Sequence, residues 1–474
     1  MVKNRLTGKR VAVIGLGREG IELVRFLYKQ GALITVLDWS SAGKLGAQYR
    51  EAKALGAEFR LGKKYLVGLN DFEIVFRSPG VALQIPEIKR AIRAGVEISS
   101  TIKLFLELSP AKTIGVTGTK GKSTTASLIY HLLKGGPFPR QTRDPAHPRN
   151  SKKKSKVFLA GNIGHSPIPL LSKLKSSDTV VLELSSFQLE DLTKGPDIAV
   201  LLNVVPEHLD RHKTLAKYLA AKQNLYLHQG KQDWLVTSRD FLPTREAIKQ
   251  TRGKVLPIST RQILRKGVYI SKGELVYRHW RTGRRQNISS VADLKLVGSH
   301  NLQNILPAVA VALILNVPIS TIVKKLRSFK PLKHRIELVR QIGGTLYIND
   351  SLGTTPEAAT AAIGAFLEMS KALIIGGVYK GGNLIGLARA IATGNVREVI
   401  LIGSSAKKIQ TVLKQYAPKV LVTLAKTLPQ AVRQGRIAVR GRGAVMLTPA
   451  CASFDMFKDA YDRGEQFRKI VNAL

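Results

Sequence analysis

Gly115-Val-Thr-Gly-Thr-Lys-Gly-Lys-Ser-Thr124 decides the fold. The apolar run Lys112-Thr-Ile-Gly-Val-Thr117 leads into it, and a helix-like stretch with Ala126, Ile129 and Leu133 on one side follows. In a strand, glycine loop and helix, backbone N–H groups wrap phosphate oxygens and the helix N-terminus adds positive potential. Read in this way, Gly118, Thr119, Lys120, Gly121, Lys122, Ser123 and Thr124 bind a nucleotide phosphate chain. Lys122 neutralises the β- and γ-phosphates, and the Ser123 hydroxyl meets Mg2+. The standard spacing places a glycine five residues before Gly121, where this chain has Val116; its own glycines stand at 115 and 118. A tight turn with an incidental lysine is the competing reading, and the strand–loop–helix context speaks against it.

Such a loop requires cation ligands nearby. Glu183 closes the apolar run Thr179-Val-Val-Leu-Glu183. A charge at the end of a buried strand is costly without a cation partner, and α/β sheets gather ligand groups at such ends. A second apolar run, 198–204, leads into Asn203-Val-Val-Pro-Glu-His-Leu-Asp-Arg211. There His208 offers an imidazole to a divalent ion, although taken alone it reads more readily as a structural histidine. Beyond it, a helical run near 213–228 repeats Leu215, Leu219, Lys222 and Tyr226 on one face. Lys222 interrupts that apolar stripe, and the residue pattern by itself favours a lysine snorkelling at the helix edge.

Outward from this centre, residues 1–110 alternate short apolar strands with helical stretches, and the same rhythm returns from about 332 in the runs at 346–350, 372–377, 398–403, 419–424 and 443–449. The fold expected is α/β in three domains. Residues 1–111 and 332–474 read as Rossmann-like, and 112–331 as a central ATP-binding P-loop domain with a mostly parallel sheet. Within 135–156, four prolines and a basic run replace apolar periodicity, so a mobile surface insertion is expected. Gly15-Leu-Gly-Arg-Glu-Gly20, with Asp38 after the next strand, fits a dinucleotide fingerprint and by itself suggests an NAD(P) oxidoreductase. That reading leaves the loop at 115–124 unexplained.

Composition narrows the classes further. One cysteine, Cys451, excludes an internal disulfide and suits a reducing compartment. The N-terminal apolar run is short and glycine-rich, a strand and turn rather than a signal peptide. The longest apolar stretch, 305–315, falls short of the roughly 20 residues that span a bilayer. A cytoplasmic protein with no membrane span is expected. The chain carries 75 Lys+Arg against 32 Asp+Glu, a formal charge of +43. Such an excess attracts polyanions, yet the basic residues are spread along the chain without zinc-finger spacing or an RNP-type signature. No specific nucleic-acid partner is expected.

Together these motifs resemble the Mur ligase family along nearly the whole chain. The resemblance rests on the 118–124 loop, Ser78-Pro79-Gly80, Gly161-Asn162, Glu183-Leu-Ser-Ser-Phe-Gln-Leu-Glu190, Asn203–His212, Asn349-Asp350-Ser351 and Thr448–Ser453. It implies an ATP-dependent amide ligase that passes through an acyl phosphate and a tetrahedral intermediate. The 183–190 segment points to the branch that adds D-glutamate to UDP-N-acetylmuramoyl-L-alanine in peptidoglycan precursor synthesis. A sister ligase with another amino acid, or one acting on folate, is the alternative. The resemblance further implies ATP contacts from Asn301, Asn304, Arg335 and Asp350. It implies substrate contacts from Gly17, Asp38, Ser78, Pro79, Gly80, Asn162, Ser185, His208, Thr354, Lys380, Ser453 and Phe454. Lys122, Glu183, His208 and Lys222 would be catalytic. Two Mg2+ ions would be held by Ser123, Glu183, His208 and a Lys222 carbamylated by CO2, in a monomeric enzyme. The chain departs from the family at Lys120, where asparagine is usual, at Leu352 and at Ala460.

Overall fold

Apolar runs ended by glycine, asparagine or acidic residues become the strands of three sheets. The computed structural model describes residues 3–135, 155–163, 165–294, 301–329 and 333–474. Most of the basic insertion, 136–154, lies outside the described residues.

The first sheet has five parallel strands, in spatial order Glu58–Leu61, Leu33–Asp38, Arg10–Ile14, Ile74–Arg77 and Glu97–Ser99. The strand order reverses beside Arg10–Ile14. Loops on the two sides of such a switch point leave a crevice at the carboxyl ends of the strands. The 15–20 and 78–80 segments flank it.

The central sheet orders nine strands among the described residues, and its parallel part places Lys112–Thr117 between Ile198–Leu201 and Thr179–Glu183. Its far edge is an antiparallel addition absent from the sequence reading: Gly267–Ser271, Glu274–Arg278 and Arg285–Ser290. The apolar stretch at 300–316 becomes the helix Leu302–Ile314, buried on nearly every side against the helix Lys122–Leu133. Its hydrophobicity is that of a core helix, and among the described residues no helix is long and apolar enough to cross a membrane.

The first two sheets belong to one compact unit, residues 3–294 with 301–329. Their shared core joins Val24, Ile102 and Phe105 to Ile168, Leu182 and Leu189. At the expected boundary, 111/112, the chain passes from the first sheet to the central one within this unit.

Residues 333–474 form the second unit. All five runs expected there are strands, joined by an outer one, Glu337–Ile342, that pairs antiparallel with Thr345–Asn349. The other neighbours are parallel, in the order Thr345–Asn349, Gly443–Leu447, Lys371–Gly376, Val396–Ile402 and Leu421–Leu424. Apolar clusters cover both faces. The outer strand alternates exposed and half-buried residues, which hid it from a search for apolar runs.

Candidate functional site

The strand, glycine loop and helix form as read, although the glycine spacing is not the standard one. Gly121 sits at φ 84°, the left-handed region that glycine enters without steric cost. A Cβ there would fall on the Asn304 side-chain oxygen. Thr119 ties the loop to the segment after Ile198–Leu201: its N–H donates to Asn203 O at 2.9 Å and its hydroxyl to Val205 O at 3.0 Å. With that proton committed, the same oxygen accepts from Val205 N and from the Tyr218 phenol, both at 3.0 Å. Burial pushes the Tyr218 phenol up to about 12, so it stays a donor at neutral pH.

Lys122 is the first residue of its helix rather than part of the loop. Its ammonium folds back to donate to Gly118 O at 3.2 Å and Thr119 O at 2.8 Å, which holds the charge over the loop. Ser123 is buried beside it, and the exposed Lys120 pairs with Glu207 at 2.6 Å. Asn304 lies against the loop as expected: its oxygen accepts from Thr125 Oγ1 at 3.4 Å, and its amide donates to Asn301 at 3.0 Å. Gly121→Ala should lower ATP affinity about tenfold or more, because the left-handed backbone alone costs roughly 1–2 kcal/mol. Calorimetry checks this, and unchanged affinity would mean that the loop does not hold the phosphates.

Glu183 stands opposite Val116 on one side and Gly161 on the other, at the carboxyl end of the sheet. It is 2 % exposed. One oxygen accepts from the Asn162 amide at 2.8 Å, while Oε2 is buried without a hydrogen-bond partner. A buried, half-satisfied carboxylate is the donor expected beside a divalent cation. Ser185, expected at the substrate, caps the next short helix: its hydroxyl accepts from Gln188 N at 3.3 Å.

Lys222 overturns the snorkelling reading. It is 2 % exposed, and the buried face of its helix is Tyr218, Ala221, Lys222, Leu225 and Tyr226. Leu215, placed on the apolar stripe by the sequence, is 39 % exposed. Lys222 Nζ donates to Gly118 O at 2.8 Å and Thr117 Oγ1 at 3.3 Å, 4.7 Å over the Tyr218 ring. Burial holds its ammonium well below the usual range, the Lys122 charge acts the same way, and Glu207 opposes both.

The structural histidine of this region is His212 rather than His208. His212 is buried, stacks on Phe187 at 5.1 Å and hydrogen-bonds Ser186 at 3.0 Å. The His208 side chain is 48 % exposed, 3.8 Å from Glu207 and 5.1 Å from the Phe187 ring, on a backbone at φ 55°. Among the described residues no group of three or more His, Cys, Asp or Glu is arranged to hold a metal ion. The expected metal set takes only Glu183 and His208 from those types; the rest is a hydroxyl and a modified amine.

In the first sheet, Asp38 accepts from Leu16 N at 2.8 Å and Ser40 N at 2.7 Å, which fixes two loops of the crevice. Gly17 caps the helix Arg18–Lys29. Ser78 Oγ accepts from Gly80 N at 3.3 Å, and Arg211 holds the Pro79 and Gly80 carbonyls, each at 2.8 Å.

The second unit gathers its own set. Asp350 accepts from Ile336 N at 3.2 Å and Thr448 Oγ1 at 3.3 Å. Arg335 is exposed, and Thr354 follows in the turn after the Asn349–Ser351 corner. Lys380 lies 4.8 Å over the Phe454 ring, and the Ser453 hydroxyl is buried without a hydrogen-bond partner. Arg463, unforeseen, is fully buried and clamps this corner: it donates to Ser351 O at 2.8 Å and Cys451 O at 3.2 Å.

The sequence reading also missed Tyr218 and Arg77. Tyr218 lies one helical turn before Lys222. Arg77 closes the apolar run Ile74–Arg77 as Glu183 closes its own, a signal applied only to the carboxylate.

Residues 116–312 match the model of the Mur ligase middle domain, and 9–100 that of the Mur ligase MurD-like N-terminal domain. The UDP-N-acetylmuramoylalanine--D-glutamate ligase of Acetivibrio thermocellus is 37 % identical over 100 % of this chain and 98 % of its own. That of Symbiobacterium thermophilum is 35 % identical over 98 % of both. In fold, the chain is similar to the MurF ligase of Thermotoga maritima in complex with ADP, with a TM-score of 0.55 at 19 % identity, covering 99 % of this chain and 97 % of that one. Full-length identity at this level, two matched domains and a loop, carboxylate and buried lysine assembled at the carboxyl end of one sheet lead to one conclusion: the chain belongs to the Mur ligase family, with a MurD-like N-terminal domain.

Proposed function

We propose that this ligase joins D-glutamate to UDP-N-acetylmuramoyl-L-alanine, with ATP converted to ADP and phosphate, in peptidoglycan precursor synthesis. The full-length likeness to ligases of that name carries the reading. The buried cluster of loop, Glu183 and Lys222 supports it, because every reactant at the bond-forming end is an anion. Catalysis there is positioning and charge neutralisation.

In this reading the 118–124 loop holds ATP with Asn301, Asn304, Arg335 and Asp350. Lys122 offsets charge on the transferred phosphoryl group. Glu183, Ser123 and His208 would hold Mg2+, which supplies further neutralisation of phosphate oxygens. Gly17, Asp38 and the 78–80 loop receive the uridine nucleotide, and Asn162 and Ser185 lie along the path to the carboxylate. Lys380 pairs one carboxylate of D-glutamate and Ser453 bonds the other, with Thr354 and Phe454 beside them. Charge-assisted contacts of this kind are worth roughly 1.5–3 kcal/mol each. Lys222 carries a carbamate, formed when its neutral amine adds CO2 and releases a proton. The enzyme acts as a cytoplasmic monomer without a specific nucleic-acid partner.

ADP release with UDP-N-acetylmuramoyl-L-alanine against a panel of D- and L-amino acids tests the assignment. Turnover is expected with D-glutamate alone. Equal turnover with L-alanine or L-lysine would transfer the chain to a sister activity.

A further inference from the structure

Two arginines, Arg77 at the end of a first-sheet strand and Arg211 in the short helix Leu209–His212, tie the segment that follows Glu183 to the first sheet. Arg77 is 2 % exposed as a residue, with a side chain at 0 %. It donates to Val81 O and to Phe187 O, both at 2.9 Å, and pairs with Glu190 at 3.3 Å and Asp191 at 3.5 Å. Asp191 also accepts from Ser100 Oγ at 3.1 Å, and Glu190 lies 3.6 Å from His212 Nδ1. Burial raises both carboxylates, and the Arg77 charge offsets only part of the rise. Arg211 works from the other side. Its two terminal nitrogens donate to Gly80 O and Pro79 O at 2.8 Å each, and its guanidinium lies 4.7 Å over the Phe187 ring. Phe187 is thus held by its carbonyl and its face, and its ring is 5.1 Å from His208.

Buried ion clusters contribute little net stability compared with apolar packing, so stability does not account for this one. A guanidinium fork does fix direction: two parallel N–H groups on successive carbonyls admit one orientation of the loop that carries them. The loop held is 78–80, and Phe187, on which the fork rests, also flanks His208.

We infer that Arg211, seated on Phe187 and backed by Arg77, is a positioning residue that sets the 78–80 loop against the His208 segment. One substrate must reach from the uridine loop to the phosphate site, and this bridge holds its two ends in register. The inference rests on the proposed placement of the uridine nucleotide at Ser78-Pro79-Gly80.

The test measures calorimetric affinities for UDP-N-acetylmuramoyl-L-alanine and for ATP separately, in wild type and in Arg211→Met. Neither affinity needs turnover, so an error in the D-glutamate assignment shows up in the amino-acid panel and leaves this comparison intact. Arg211→Met should lose about tenfold or more in affinity for the uridine substrate, through two lost charge-assisted bonds, while ATP affinity stays within about twofold. Arg211→Lys, which can reach one carbonyl but not both, should fall between. Arg77→Met should show the same selective loss with a lower melting temperature. Unchanged uridine-substrate affinity in folded Arg211→Met overturns the inference. So does a parallel loss of ATP affinity, which would mark a general structural role.

Discussion

Lys222→Ala is expected to remove ligase turnover by about 10²- to 10³-fold, and a small carboxylate such as acetate is expected to restore part of it. The expectation follows from the state of the amine. A neutral amine has two N–H donors and one lone pair. Lys222 has two acceptors, Gly118 O and Thr117 Oγ1, in a buried site that disfavours its ammonium. The lone pair is therefore available to CO2, and the carbamate formed would place a negative group beside the loop where the neutral amine had been. Truncation also leaves a cavity that costs roughly 2–5 kcal/mol in stability, so lost activity alone would be ambiguous. Lys222→Met separates the two effects, because it fills the space and excludes acetate. Rescue of the alanine variant only, at matched folded fraction by circular dichroism, supports the modified lysine. Near-wild-type turnover of either variant would sink it.

Lys122→Ala is the second large effect. It should lower turnover by about 10²- to 10³-fold, the loss typical of removing one preorganised charge-stabilising donor. It should not destabilise the fold. Lys122 opens a helix, where a cation opposes the macrodipole, and its ammonium donates to the Gly118 and Thr119 carbonyls of the adjoining loop. A melting temperature equal to or above wild type, with no phosphate released from ATP in the presence of both substrates, is the expected pair of results. Retained ADP release in a folded variant would remove Lys122 from the phosphoryl-transfer step.

Where the sequence was misleading, it was so in one way. The stripe Leu215, Leu219, Lys222 and Tyr226 fitted helical periodicity, but only Lys222 and Tyr226 lie on the buried face, which Tyr218, Ala221 and Leu225 complete, while Leu215 is exposed. Periodicity gives a helix its faces, but which face is covered depends on elements distant in the chain. His208 and His212 share the same local pattern. The burial of His212, its stacking on Phe187 and its bond to Ser186 decide which imidazole is structural.

The sequence by itself determined the class of fold and the strand, glycine loop and helix at 112–133, while the chemistry of the reaction came from the resemblance to the Mur ligases. The fold class and the loop rest on local features: a glycine needed at one backbone angle, a lysine at a helix start, and apolar runs long enough for strands. Only the tertiary structure decided that Glu183 keeps one oxygen unpaired, that Lys222 is wholly buried, and that Arg77 and Arg211 bind the first sheet to the segment after Glu183. Each of these is a relation between residues far apart in the chain, more than a hundred positions in the case of Arg77 and Phe187. Desolvation and pairing belong to the surroundings that folding brings to a side chain, and no residue carries those in its own sequence neighbourhood.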